Sequence, residues 1–396
     1  IHSGAAFDLA DKAGMMALLG DALFPDPATR EYVTEELDGR LEVTTSLDSI
    51  DVTISGKASE LERMIDLLRG AVLTTQLGAD NVATLRNARL KLLSEKPATA
   101  AEVADAAIRA RLFGVFPYAR PAAGTVASVT KLDRADLMLS RERFLNADNA
   151  SLAVVGGVQK TRMMRALRQL LGPWAKSEKS IPSTFRQPAA PDARILALDQ
   201  AGATNAEIRI AVRGLSRADN DTPAANLLAY IIRDRWQAAV ADLSGTGARH
   251  ETHVLPGIFV LSASVPTASA AKAVAAAQEA TRALAQSGPS AGELERARSL
   301  LQTDISKQTS QIDGAAEAWL DMDTFNSPRP DTISTLVRSL TASDIQRVAY
   351  RLFKDAPVAT VVVGNYEHLK AAFAGKIESS ADTPKSTRPT LLPNKP

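Results

Sequence analysis

A stretch of 27 residues occurs twice in this chain, and no other feature limits its fold as tightly. The first copy, 132–158, reads LDRADLMLSRERFLNADNASLAVVGGV; the second, 340–366, reads LTASDIQRVAYRLFKDAPVATVVVGNY. Laid together without a gap at an offset of 208, Leu132 meets Leu340, Asp136 meets Asp344 and Arg143 meets Arg351. Val154-Val155-Gly156 likewise meets Val362-Val363-Gly364. Apolar spacing at three and four (Leu132, Leu137, Phe144; Leu340, Ile345, Leu352) predicts a helix in each copy. Asp133 ahead of Asp136, and Thr341 ahead of Asp344, predict a cap at each helix start. A run of Val and Ala closed by glycine then predicts a buried strand.

The repeat extends upstream. Val52-Thr53-Ile54-Ser55 pairs with Leu261-Ser262-Ala263-Ser264, each ahead of an amphipathic helix at 60–68 and 270–284. At an offset of 209, Leu85, Ala88, Arg89 and Leu92 meet Leu294, Ala297, Arg298 and Leu301, and Leu18-Leu19 meets Leu227-Leu228. Matched blocks in one order make the chain two tandem homologous domains. Their mixture of helices and strands indicates an α+β class, each domain a mostly antiparallel sheet with helices packed on one face. The 396 residues, 45% hydrophobic, suffice for two full cores.

The first domain spans 1–174, with helices expected at 14–24, 29–37, 60–73, 79–94 and 99–113 and two strands within 40–54. Residues 175–193 hold Pro182, Pro188 and Pro191 among Ser and Lys with no helical period, which marks an interdomain linker. The second domain spans 194–375 and opens on a strand at 203–212; 376–396 is polar and proline-bearing and reads as a tail. Basic and acidic residues number 46 and 45 and are well mixed, so the net charge of +1 offers no electrostatic footprint for nucleic acid or an anionic membrane. The lack of cysteine excludes disulfides and thiolate metal sites. No apolar run approaches the roughly 18 residues of a membrane span.

Several of these blocks resemble one family, the pitrilysin/insulinase group of zinc metallopeptidases, which includes mitochondrial processing peptidase and the core proteins of the respiratory cytochrome bc complex. Asp11-Lys12-Ala13-Gly14-Met15 ahead of an apolar helix resembles the lead-in to the family's first helix. LFGVFPYARPAAG at 112–124 resembles its "hPyg-p-x-G" loop, and 132–157 its helix-to-strand block. Leu171-Gly172-Pro173-Trp174 resembles its "fG-W" ending, and QAGATNAEIRIAVRGLSRAD at 200–219 its second opening strand. The resemblance covers nearly all of both halves and implies paired α+β domains that close, with a second such pair, around a peptide chamber.

Active members carry HxxEH on the first helix. Two histidines one turn apart bind zinc, the Glu acts as general base on metal-bound water, and a further Glu downstream completes the ligand set. With Gly14 and Phe24 set on the family's glycine and phenylalanine, the motif positions fall on Ala17, Leu18, Leu19, Gly20 and Asp21. The downstream ligand position falls on Leu92 or Leu93, with Glu95 the nearest carboxylate. Ala and Gly neither ligate nor take a proton, so this chain is expected to carry no catalytic residue and no metal. The family's substrate-holding arginine and tyrosine fall on Asp242 with Arg249, or on Ala239 with Thr246, according to gap placement; neither is that pair. Tyr230 and Arg233, beside Arg235 on the preceding helix, and Arg249 are the substrate-binding candidates. His250-Glu251-Thr252-His253 is one residue short of HExxH and lies in a predicted strand, where i and i+3 point to opposite faces; rim histidines are the expectation.

The resemblance implies a non-catalytic subunit of a heterodimeric zinc peptidase, an inactive pseudoenzyme beside a partner of the same family that brings HxxEH and the zinc. It would line the chamber and bind extended peptide at sheet edges near 40–54 and 248–265. The alternative is a scaffold or assembly protein of the same fold with no part in proteolysis. An autonomous enzyme would need a cluster of ionisable residues the sequence does not display. Heavy use of Ala and Arg suggests a GC-rich bacterium. A start at Ile1 without Met, together with the absence of cysteine, suggests the periplasm, with the cytoplasm as the other compartment.

Overall fold

A computed structural model of the chain describes residues 1–75, 77–95, 98–177 and 187–379. The helices before residue 178 are α1 (Met15–Leu23), α2 (Pro27–Glu35), α3 (Leu61–Leu73), α4 (Ala79–Glu95), α5 (Ala100–Phe113), α6 (Val126–Val129), α7 (Arg134–Phe144) and α8 (Lys160–Leu171). Those after it are α9 (Thr222–Ala239), α10 (Ala270–Ser287), α11 (Ala291–Thr309), α12 (Ile312–Phe325), α13 (Ile333–Ser339), α14 (Ala342–Phe353) and α15 (Tyr366–Ala372). The strands are β1 (Arg40–Thr45), β2 (Ile50–Ser55), β3 (Ile195–Asp199), β4 (Asn205–Arg213), β5 (Ser244–Glu251), β6 (Ile258–Pro266), β7 (Ala359–Gly364) and β8 (Ile377–Ser379). The fold is α+β.

Both helices of the repeat begin on a reciprocal cap. Asp133 accepts from the Asp136 amide while Asp136 accepts from the Asp133 amide, each at 3.0 Å, and Thr341 and Asp344 do the same at the start of α14. Each cap satisfies two amide groups that the first helical turn leaves without partners.

The chain forms two compact units: one of Ile1–Lys96, Arg120–Phe185 and Thr309–Thr324, the other of Pro97–Ala119, Arg186–Gln308 and Phe325–Pro396. The sequence reading cuts the chain once, at 175–193. The units instead exchange a segment: α5, from the first half, belongs to the second unit, and most of α12, from the second half, belongs to the first. Local periodicity identifies a helix but not the sheet it covers, so this exchange leaves no trace in the pattern of either half.

The second unit is built on a six-stranded sheet of order β5-β6-β4-β7-β3-β8. β4 runs antiparallel to both β6 and β7, and β5 antiparallel to β6, whereas β3 runs parallel to β7 and β8. Along β4, Ala206, Ile208, Ile210 and Val212 join a core with side chains of α9, α10 and α14. Burying each aliphatic side chain of that size contributes about 1.5–3 kcal/mol. Trp236 of α9 is fully buried, and its indole N–H donates to the Ala273 carbonyl of α10 at 2.9 Å. The opposite face carries α5. Arg209 of β4 reaches Asp105 at 2.6 Å and the Ala101 carbonyl at 3.3 Å, and Glu251 of β5 pairs with Arg109 one turn further along α5. β7 is buried along its whole length, which suits a central strand covered on both faces.

Three expectations need correction. Val154-Val155-Gly156, the counterpart of β7, forms no strand: Leu152 and Val155 of that stretch are exposed, and the first unit's sheet has only β1 and β2 among the described residues. The expected tail contains β8, where buried Glu378 accepts from Arg111 at 2.7 Å; 380–396 lie outside the described residues, as do 178–186 of the linker. β3 precedes the strand expected to open the second half, because its short apolar run Ile195–Asp199 sits directly behind the proline-rich segment.

Candidate functional site

The first helix is anchored at its lead-in. Gly14 takes a left-handed conformation (φ 94°) as the residue before α1. The Asp8 carboxylate accepts from the Gly14 amide at 2.6 Å and the Met16 amide at 2.8 Å, holding the positive end of the helix. Burial nonetheless pushes the Asp8 carboxyl up to about 6, against those two amides and Arg120. The Ala13 carbonyl accepts from the Ser128 hydroxyl at 2.7 Å. Gly124 (φ 79°) lies so close that a Cβ there would stand 2.5 Å from the Ala13 carbonyl oxygen and 2.9 Å from the Gly14 Cα. The glycine of the 112–124 loop is therefore a close-approach residue: it lets two backbones meet where α1 begins.

The five motif positions lie on α1 as expected. Ala17, Leu18, Leu19 and Gly20 are buried, and Asp21 is partly so. A Cβ at Gly20 would meet the Thr45 hydroxyl at 2.8 Å, so β1 stands where a longer side chain would begin. Asp21 does not face a metal. Arg89 of α4 donates to its Oδ2 from Nε at 2.8 Å and from Nη2 at 2.6 Å, and the same Nη2 reaches the Ala17 carbonyl at 3.1 Å. A third nitrogen reaches the Ala123 carbonyl at 3.5 Å. One guanidinium thus ties α1, α4 and the 112–124 loop together. Burial pushes the Asp21 carboxyl above its usual range, with Arg89 opposing.

These residues do not fit zinc. A guanidinium, always protonated, holds the one carboxylate and would repel a divalent cation. Leu92 is exposed, and Glu95 pairs with Lys91 at 3.5 Å on the surface of α4. Among the described residues no three His, Asp or Glu side chains are grouped to hold a metal ion. Arg89 is the site residue that motif reading passed over. Its signal was present in the repeat, where Arg89 meets Arg298; the latter donates to the Leu340 carbonyl at 2.7 Å, a similar helix-to-backbone tie.

The substrate-binding candidates fall in two places. Tyr230 and Arg233 are neighbours on α9: the guanidinium lies over the phenol ring, 5.2 Å from its centroid, and bonds Asp234 at 2.8 Å. The Tyr230 hydroxyl donates to Asp304 of α11, and burial with that carboxylate pushes the phenol up to about 12. Arg249, on β5, joins Glu251 and Asp105, on the sheet face that carries α5. Its neighbour His250 turns the other way, toward Asn226 of α9. The sheet therefore separates Arg249 from Tyr230 and Arg233. Arg235 bonds Glu293 at 2.6 Å, and the alternative position Thr246 bonds Gln237.

Both histidines of the 250–253 stretch are half-buried. The His250 ring accepts from the Leu215 amide at 2.9 Å, and burial lowers its pKa to about 4. A neutral ring with both nitrogens engaged is not a metal ligand. The His253 ring lies 4.5 Å from that of Tyr118, whose hydroxyl accepts from the Leu255 amide at 3.1 Å.

Residues 131–301 match the model of the peptidase M16 inactive domain. Over this stretch the chain is homologous to the inactive domain of M16 peptidases. It is 26% identical over 170 residues to human mitochondrial cytochrome b-c1 complex subunit 1, covering 42% of this chain and 35% of that protein. It is 26% identical over 165 residues to an uncharacterized zinc protease of Mycobacterium leprae, covering 40% and 37%. The chain thus spans little more than a third of the curated relatives it matches. Its fold resembles that of a peptidase M16 inactive domain from Pseudomonas fluorescens, with a TM-score of 0.80, 18% identity and coverage of 92% of this chain and 91% of the other. The findings support a non-catalytic M16 fold. Among the described residues no helix is long and apolar enough to cross a membrane.

Proposed function

We propose that this chain is the non-catalytic subunit of a heterodimeric zinc peptidase, one wall of a peptide-binding chamber whose HxxEH-bearing wall is a second chain of the same family. The observation that carries the reading is the Arg89–Asp21 tie: the helix keeps its place, and a guanidinium stands where a metal site would need ligands. The partner supplies zinc and the general base. Extended peptide is held by strand addition at an open sheet edge such as β5, with Arg249 beside it and Tyr230 and Arg233 as further contacts. The periplasm of a bacterium is the compartment proposed.

The test is purification of the chain alone and after co-expression with an HxxEH-bearing M16 partner, with zinc content and cleavage of a quenched peptide measured in both. Zinc and cleavage confined to the co-purified pair support the proposal. Stoichiometric zinc and cleavage in the lone chain refute it. A second reading, a scaffold without a role in proteolysis, draws on the similarity to cytochrome b-c1 complex subunit 1. A tight partner whose peptidase activity does not change on binding would favour it.

A further inference from the structure

The helix α7 has an inner and an outer face. Leu137, Ser140 and Phe144 are buried. Arg134, Met138, Arg141 and Leu145 follow one another at the helical period, and all four line a groove of about 950 Å³ in the first unit. Val72 and Leu77, both buried, and the half-buried Trp174 line the same groove. Met138 is 44% exposed and Leu139 beside it 59%, so two large apolar side chains meet water midway between the two arginines.

The arginines are tied but not neutralised. Arg134 donates from Nε to the Leu77 carbonyl at 2.6 Å, and Arg141 from Nη2 to the Leu73 carbonyl at 3.1 Å, at the end of α3 and just beyond it. A guanidinium carries five N–H donors, so each tie leaves most of the group without a protein acceptor. The Arg141 Nε is buried with no acceptor. Among the described residues neither arginine pairs with a carboxylate, whereas Arg89 and Arg162 of the same unit hold Asp21 and Glu62. Glu142 also lines the groove, exposed beside Arg141, and disfavours any further acid at that end.

This charge pattern selects the occupant. Seven residues of α-helix rise about 10.5 Å, so the groove asks for two anionic groups at roughly that separation with apolar surface between them. A fatty acid brings a single carboxylate. A helix with acids seven positions apart brings two at the matching spacing, and its i+3 and i+4 side chains share their face and cover Met138 and Leu139. Among the described residues no helix of this chain has two acids seven apart, so a second copy does not supply the partner.

We infer that the groove along α7 docks an amphipathic helix of a partner protein, with acidic residues at i and i+7 on Arg134 and Arg141 and apolar residues at i+3 and i+4 on Met138 and Leu139. This surface serves whether or not the chain lines a peptidase chamber.

The test titrates the whole chain into a fluorescein-labelled peptide, EAALLAAE within a frame stapled into a helix on its outer face, and reads anisotropy at low salt. The expected result is saturable one-to-one binding that Leu139→Asp abolishes and that weakens by about 5-fold or more for the QAALLAAQ peptide. Loss alone does not separate docking from misfolding, so Arg134→Glu is tested with KAALLAAE and EAALLAAK. That variant should lose affinity for the acidic peptide and bind one of the two lysine peptides about as tightly as the original chain binds EAALLAAE, the choice giving the direction of the helix. Equal binding of the acidic and glutamine peptides, or no recovery with either lysine peptide, would overturn the inference. One-to-one displacement of the peptide by oleate, dependent on Arg134, would also overturn it, by giving the groove to a single acyl chain.

Discussion

Replacing Arg89 by Met tests whether one guanidinium organises the emptied helix. The substitution keeps much of the side-chain volume and removes four donated bonds, two to Asp21, one to the Ala17 carbonyl and a long one to the Ala123 carbonyl. Hydrogen bonds to charged groups contribute about 1.5–3 kcal/mol each in dry surroundings. The Arg89 side chain is 15% exposed but that of Asp21 is 37% exposed, so water compensates part of the loss. A cost of about 2 kcal/mol at pH 7 follows, of which about 1.5 kcal/mol should appear as coupling in a double-mutant cycle with Asp21→Asn. The pH dependence has a fixed sign. Burial already raises the Asp21 pKa against the pull of Arg89, so removing Arg89 raises it further. A folded-state pKa above the unfolded value means stability that is present at low pH and lost as pH rises through the folded pKa. The deficit of Arg89→Met should therefore shrink between pH 7 and pH 4.5. Urea unfolding of the four proteins of the cycle at both pH values measures this. Coupling below about 0.5 kcal/mol at pH 7, or a deficit that grows on acidification, would refute the reasoning.

Three further outcomes are expected. Gly124→Ala and Gly375→Ala share nearly the same strained φ, 79° and 75°, but only the first puts a Cβ against backbone; the first should cost about 3–4 kcal/mol and the second about 1 in urea unfolding, and equal costs would show that the Gly14–Gly124 approach is unimportant. Asp8, raised to about 6 from 3.8, holds its proton more tightly folded than unfolded, so its contribution to stability is present below 3.8 and lost as pH rises through 6; relative to Asp8→Asn, which has no such linkage, the native chain should gain at most about 3 kcal/mol between pH 7.5 and 4, read from chemical denaturation midpoints. Asp133→Ala and Thr341→Ala remove the same cap from the two repeat copies and should each cost about 1 kcal/mol; a loss in only one copy would mean that the caps are not equivalent.

The elements that could be read from sequence are those whose cause is local. The caps at Asp133 and Thr341, the helix from Met15, the β1–β2 pair and the strand at Ala359–Gly364 each follow from spacing or cap chemistry within a few residues. What escaped is what depends on partners distant in the chain. Arg89 becomes a site residue only because Asp21, 68 positions away, lies beneath it. His250 meets Asn226 because α9 covers one face of β5, and Arg249 is turned from Tyr230 because β5 alternates. The emptied motif was legible because Ala and Gly at its positions have no chemistry to misread. The replacement for that chemistry was not legible, because an arginine on a helix looks the same whether it meets water or a buried carboxylate.

The two copies of the repeat show how far context outweighs an inherited pattern. Ala-Val-Val-Gly at 153–156 and Val-Val-Val-Gly at 361–364 are nearly the same string, yet the second is a buried central strand and the first forms no ladder. The difference lies in the neighbour. β7 has β4 on one side and β3 on the other, so its amide groups are satisfied and its valines covered. Residues 151–156 have no strand on either side among the described residues, and strand propensity alone does not make a ladder. The exchange of α5 and α12 belongs to the same logic. α5 covers a sheet face in the second unit and α12 lines a cavity with residues 151–156 in the first, so a helix from each half serves the unit built mainly from the other. A chain cut at 175–193 would separate each helix from the surface it covers. Duplication of a domain thus predicts the order of its elements well and their partners poorly, because order is copied with the sequence while partners depend on what else has folded nearby.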